Sequence, residues 1–357
     1  MTAVPQNSDA LANWKAADMV DYRQWMIELD GDQVDEVDRA LHAVLDVGIG
    51  IETIARDDFA VPAFAALVPD ILDRLENGRG VVVLRGLPAE RYSKAQLRLI
   101  FRALGLHLGT AVSRSRAGEL VVDLRGPDAI RRAQDDHSSC QGLDFRTDSA
   151  DVVASMVTRA AKHGGLSVVC SSLAIRNVIA SIRPDLLRVL YQPFWWSWKG
   201  RQGADEEPYH AQPIYSEHEE RFSSRIDPNE IVAAYGEFAD ELPPLEPCQV
   251  EALSLVNALA NDARFQLPMM FEPGDIQLLN SHVVYYAQTR FEDYCEEARK
   301  HHQLRMWLSM PNGRPLSPLL LSIYREPGGG AVRGGIASRT RSPRLEAVQA
   351  PGQQHER

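Results

Sequence analysis

A guanidinium and a carboxylate stand two residues apart in the stretch Leu143-Asp144-Phe145-Arg146-Thr147-Asp148-Ser149-Ala150-Asp151-Val152-Val153. The stretch reads as a strand carrying a short polar cluster. Side chains at i and i+2 of a strand project to one face, so Arg146 and Asp148 are expected to share one space. Lys162-His163-Gly164-Gly165 then reads as a turn, and Ser167 to Cys170 as a second strand. Everything else of chemical interest in the chain is arranged around that pair.

The remaining elements are read from periodicity and punctuation. Val34, Val37, Leu41, Val44 and Leu45 mark one helix face, with Asp35 and Glu36 near its start, where acids suit the macrodipole. A helix fits Pro62 to Glu76 and stops at Asn77-Gly78. The glycine-bounded run Val81-Val82-Val83-Leu84 reads as a buried strand, and Ser93 caps a helix with Leu97, Ile100, Phe101 and Leu104 on one face. Ser172 to Leu190 is helical in two pieces, because Pro184 interrupts it. His210–Ile214 and Glu219–Ile226 read as strands joined by a turn. Helices are expected at Pro228–Phe238 and Pro247–Ala263, then a strand-rich run from Gly274 to Tyr286 and a strand from Arg299 to Met310. Residues 1–10 and 326–357 read as disordered, the latter because it is Gly-, Arg- and Ser-rich, leaving 11–325 as one domain.

The central stretch resembles the metal-binding segment of the TauD/TfdA-like dioxygenases, which depend on Fe(II) and 2-oxoglutarate. That family's pattern is Phe-His-Thr-Asp-Ser, then a Lys-x-Gly-Gly turn. Its iron is held by a His-x-Asp pair and a distant His, the facial triad, with open positions for 2-oxoglutarate and oxygen. Asp148 is kept here, but Arg146 stands where the first His belongs. A second landmark, Pro273-Gly274-Asp275-Ile276-Gln277-Leu278-Leu279-Asn280, is similar to the run leading to the distal His. Ala287, Thr289, Phe291, Glu292 and Asp293 match the family's residues just past that ligand, which puts Tyr286 at the second His position. A third is Leu304-Arg305-Met306-Trp307-Leu308. The resemblance implies that Arg305 clamps a distal carboxylate, in keeping with the fit of a guanidinium fork to a carboxylate, with Ser167 as its hydroxyl partner. It further implies an α+β fold, a double-stranded β-helix or jelly-roll flanked by helices.

Arg has no lone pair to give a metal, and Asp148 with Tyr286 is a poor Fe(II) pair. On this reading Asp148 is a metal ligand only if iron is retained, and no cofactor is expected. His282 stands four residues before Tyr286, about 13 Å along a strand at ~3.3 Å per residue, beyond the reach of such a site without a strand slip. His282 and His137 are candidates to line the pocket. So are Trp195, Trp196 and Trp198, which read equally well as a hydrophobic substrate wall or as packing.

The chain has 357 residues, 45% hydrophobic and 24% charged, an ordinary globular composition. A net charge of −11 and a pI near 5.4 disfavour nucleic acid as a partner. No apolar run approaches the roughly 18 residues of a membrane span. The four scattered cysteines read as free thiols of the cytoplasm. A homo-oligomer is compatible with all of this.

Three functions remain open. The first is a diverged enzyme of specialised metabolism acting on a small carboxylate or amino-acid-like molecule, with Arg146, Asp148 and Tyr286 as charge stabiliser, base and proton donor. Its chemistry would be cyclisation, elimination, decarboxylation or hydrolysis. The second is an Fe(II)/2-oxoglutarate-dependent oxygenase with unusual ligands, and the third a non-catalytic ligand-binding protein.

Overall fold

The computed structural model describes residues 9–125, 143–203 and 206–337. The first third of the chain lays three helices against one face of a sheet. Strand β1 (Met26–Glu28) leads into α1 (Gly31–Asp46), where Asp30 and Gln33 form a reciprocal capping box. Helix α2 (Pro62–Glu76) starts with proline at its first position, and β2 (Val81–Arg85) comes after it. Ser93 caps α3 (Lys94–Leu108), and β3 (Thr110–Val112) and β4 (Val121–Arg125) come next.

The middle of the chain adds β5 (Val152–Arg159), β6 (His163–Gly164) and β7 (Ser167–Ser171). It continues with α4 (Ser172–Ile182), α5 (Pro184–Leu190), β8 (Pro193–Ser197), β9 (Tyr209–Pro213), β10 (Tyr215–His218) and β11 (Arg221–Ser224). After α6 (Pro228–Glu237) and α7 (Pro247–Ala260) come β12 (Leu267–Met269), β13 (Ile276–Asn280), β14 (Val284–Gln288), β15 (Phe291–Glu292) and β16 (His302–Ser309).

Seven strands form the main sheet, in the order β1-β2-β13-β5-β16-β3, with β4 also paired to β16. All these pairings are antiparallel except β1 with β2. The period-two alternation of each strand sorts its side chains. Leu304, Met306 and Leu308 of β16, with Ala154 and Met156 of β5, pack in one core with Ile100, Phe101 and Leu104 of α3. Their neighbours Ser155, Gln303, Arg305 and Trp307 necessarily face the opposite way. There they meet a three-stranded sheet, β12-β7-β14. Gln277 of β13 bonds Ser167 of β7 across the gap, and Arg305 of β16 bonds Tyr286 of β14. Two facing sheets with an outer helical layer are the expected double-stranded β-helix, an α+β fold.

Several local expectations need correction. Residues 143–149 form no strand; a single antiparallel bridge joins Arg146 to Tyr286, and the strand proper begins at Val152. The backbone there turns away from ladder pairing: the Thr147 amide donates to the carbonyl of Ile226, outside any strand. The two strands expected over 210–226 are three, split between two small sheets. Leu45, assigned to the buried face of α1, is exposed.

The disorder expected from residue 326 does not extend over 326–337. Arg333 is fully buried there, and its Nε donates to Asp151 Oδ1 at 2.8 Å. An isolated buried aspartate is costly unless a cation meets it, and the segment supplies that cation. Of the N-terminal stretch, Asp9 is buried and accepts from the Phe222 amide, while residues 1–8 lie outside the described residues. No helix among the described residues is long and apolar enough to cross a membrane.

Candidate functional site

Inward-facing residues of β16, β5 and β14 meet the segment before β5 around the hydroxyl of Tyr286. That hydroxyl donates to Asp148 Oδ2 at 2.9 Å and accepts from Arg305 Nη1 at 3.2 Å and Arg146 Nε at 3.4 Å. Asp148 Oδ2 takes a second bond from Trp307 Nε1 at 2.9 Å. Both guanidinium groups also lie over the Tyr286 ring, with centroid distances of 5.3 Å for Arg146 and 5.2 Å for Arg305. The structure thus brings together Arg146, Asp148, Tyr286 and Arg305.

A cavity of about 450 Å³ opens above this cluster. Its charged lining is Arg114, Arg146, Lys199, Arg201 and Arg225 against Asp148, Asp227 and Glu230, so basic groups predominate. Trp307 forms part of the wall, with the Arg114 guanidinium 4.8 Å from its ring centroid. Below Tyr286 lies a second, nearly filled space of about 20 Å³, bordered by Ser155, Ser167, Gln277 and Arg305. There Ser167 is tied to Gln277, and Arg305 Nε to the Ser155 hydroxyl at 3.2 Å.

Charge placement sets the protonation states. Burial alone would raise the Asp148 carboxyl, but the guanidinium groups of Arg114, Arg305 and Arg146 outweigh it and hold it well below its ordinary range. Desolvation opposes the charge on Arg146, yet Tyr286 and Asp148 keep it firmly protonated. Glu230 is likewise held ionised: burial raises it, and Arg225 and Arg201, both ion-paired to it, bring it down. Asp227 differs. Burial, then the neighbouring Glu230, pushes its carboxyl up to about 6.

The other candidates fall elsewhere. None of Trp195, Trp196 and Trp198 lines the cavity. Trp196 is core, Trp195 packs edge-on to Tyr209, and Trp198 packs on His210. His282 is in the turn between β13 and β14, not on a strand with Tyr286, and its Nε2 pairs with Asp151 Oδ1 at 3.0 Å, away from the cavity. His137 lies outside the described residues. Sequence reasoning missed Arg114, Lys199, Arg201, Arg225, Asp227, Glu230 and Trp307. Two signals could have found some of them. Trp307 is two residues from Arg305 on one strand and shares its face, and Asp227-Pro228 is a helix start that aims a carboxylate.

The donor set does not fit Fe(II) at this position. A guanidinium offers no lone pair, and the one good oxygen ligand, Asp148 Oδ2, already accepts from Tyr286 and Trp307. Among the described residues, no three His, Cys, Asp or Glu side chains gather closely enough to hold a metal ion. The space beside Arg305 and Ser167 is on the scale of one or two waters, too small for a five-carbon diacid.

Residues 43–307 match the family model described as taurine catabolism dioxygenase TauD, TfdA family. The FR-33289 synthase of Streptomyces rubellomurinus is 28% identical over 323 residues, covering 87% of this chain and 93% of that protein. The taurine hydroxylase-like protein SAT17 of Stachybotrys chartarum is 25% identical over 311 residues, covering 82% and 77%. Among solved structures, asparagine oxygenase in complex with Fe(II), 3-hydroxyasparagine and succinate superposes with a TM-score of 0.58. It is 17% identical and covers 80% of this chain and 94% of that one. The non-heme iron oxygenase OrfP in complex with Fe and alpha-ketoglutaric acid gives 0.55 at 14% identity, covering 80% and 94%. These neighbours overturn the expectation that no cofactor belongs to such a site: proteins of this fold hold iron with succinate or alpha-ketoglutaric acid.

Proposed function

Because the chain belongs to the TauD, TfdA family, we propose that it is an enzyme of specialised metabolism that takes a small carboxylate or amino-acid-like molecule into the arginine-lined cavity. The observation that carries this reading is the ring of five basic side chains against three acidic ones around about 450 Å³. Guanidinium groups in a low-dielectric recess bind anionic oxygens far better than they would in water. A relative bearing a biosynthetic name, FR-33289 synthase, supports the metabolic setting.

In this reading the floor of the cavity is the reacting end. Arg146 stabilises negative charge that develops on the substrate. Asp148 is a weak base because three guanidinium groups hold it ionised; it accepts the one proton of the Tyr286 hydroxyl, which becomes a proton donor to substrate only on turning away from Asp148. Such side chains support proton-transfer chemistry: cyclisation, elimination, decarboxylation or hydrolysis. A second reading is Fe(II)/2-oxoglutarate-dependent oxygenation, favoured by the iron and alpha-ketoglutaric acid that the OrfP structure contains. The three cysteines among the described residues are free thiols, which suits a cytoplasmic enzyme.

Calorimetry with L-tartrate, a small dicarboxylate ionised near neutral pH, tests the anion site. Arg146→Ala should weaken binding at least about tenfold, the effect of losing one charge-assisted contact, while circular dichroism stays unchanged. Equal affinity in wild type and variant would refute the reading. Succinate release from 2-oxoglutarate on adding Fe(II) and a candidate amino-acid substrate would favour the oxygenase reading instead.

A further inference from the structure

The carboxylates of this cavity are not alike. Asp148 is hydrogen-bonded by Tyr286 and Trp307, and Glu230 is ion-paired with Arg201 and Arg225. Asp227 has neither kind of partner on its outer oxygen. Its Oδ1 caps helix α6, accepting from the amides of Asn229 at 3.0 Å and Glu230 at 3.3 Å. Its Oδ2 accepts no hydrogen bond from any described residue, and Asp227 forms no ion pair among them, although the residue lines the cavity. Beside it, Arg225 is 3% exposed and also lines the cavity, with Nε and Nη1 lacking a partner. A carboxylate with one anchored and one open oxygen therefore stands near a guanidinium that is ion-paired to Glu230 through Nη2 and has Nε and Nη1 unpartnered, at the wall of an anion pocket.

We propose that Asp227 is the proton-exchanging side chain of this pocket: it takes a proton from solvent as an anionic substrate enters and, as a neutral acid, donates a hydrogen bond to that anion through Oδ2. The proposal rests on the reading of the cavity as the substrate site. The charges that face Asp227 are Glu230 on its own helix, Arg225 just before the helix, Arg146 from the segment before β5, and Arg201 from the loop after β8. Glu230 is held ionised by Arg201 and Arg225, so the negative charge beside Asp227 persists at neutral pH. Adding a substrate anion to that setting further disfavours a second carboxylate and favours the acid form. The resting carboxyl, pushed up to about 6, needs only a modest further push to hold its proton at pH 7. One residue thereby makes the pocket selective: it accepts anions strongly only as the proton arrives with them.

Tartrate calorimetry from pH 5.5 to pH 8, in buffer pairs of different ionisation enthalpy, tests this on the full chain. Wild type should lose affinity severalfold between pH 7 and pH 8, with about tenfold per pH unit as the limiting slope, and take up a substantial fraction of a proton on binding at pH 7, as linkage to a single group requires. Asp227→Asn, which preserves the cap, should bind with little pH dependence and no proton uptake; Asp227→Ser, also a capping residue, should behave alike. Binding whose pH dependence and proton count are the same in wild type and both variants overturns the role of Asp227 and leaves the anion pocket standing. No tartrate binding by wild type at any pH overturns the anion pocket, and this proposal with it.

Discussion

The Tyr286 hydroxyl is the most heavily committed polar atom in the site, with one carboxylate below its proton and two guanidinium groups on its lone pairs. Tyr286→Phe leaves those buried partners short of bonds and should destabilise the protein by about 1–3 kcal/mol, read from the urea midpoint. An unchanged midpoint would mean that the cluster relaxes around the ring. Asp148 makes a separate pH prediction. Its folded value lies below the ordinary 3.8, so its contribution is fully present above that value and is lost as pH falls through the folded one. Between about pH 4 and pH 2, wild type should therefore lose more stability than Asp148→Asn, measured by thermal unfolding across that range. Identical slopes would show that the charges around Asp148 do not favour its ionised form.

Helix α6 shows how an element can carry a functional group at a cost to itself. Asp227 is a good cap by type, yet burial and Glu230 push its carboxyl up to about 6. An acid with a raised folded value keeps its proton longer in the native state, so stability falls as pH rises from the ordinary value towards about 6 and stays low above it. Asp227→Asn keeps the capping bonds without the charge. It should raise stability at pH 7.5 by about 3 kcal/mol and leave it unchanged near pH 3.5; a lower melting temperature at pH 7.5 would contradict this. Strand β16 was legible by contrast, since Leu304, Met306 and Leu308 are apolar at every second position and Arg305 and Trp307 fall between them. The segment before β5 was not. Its i, i+2 charges share a cavity as the strand reading implied, but one bridge to Tyr286 and the amide bond to Ile226 hold it, and those contacts lie 140 and 79 residues away.

At the scale of the whole molecule, residues 326–337 fold back and seat Arg333 against Asp151 in the interior. Arg333→Ala strands a buried carboxylate that keeps only His282, Ser309 and the Met310 amide, at a cost of about 3 kcal/mol. Limited proteolysis should then release the C-terminal segment faster than in wild type, and equal rates would show that the pair does not hold it. The sequence alone determined the outer helices, because hydrophobic periodicity is a local property of a chain, and its three motifs carried the family resemblance that implied the double-stranded β-helix. Only the tertiary structure decided which charges surround the cavity. Arg114, the pair Lys199 and Arg201, and the pair Arg225 and Asp227 come from three segments far apart in sequence, and burial beside Glu230, which no linear pattern encodes, is what pushes the Asp227 carboxyl up.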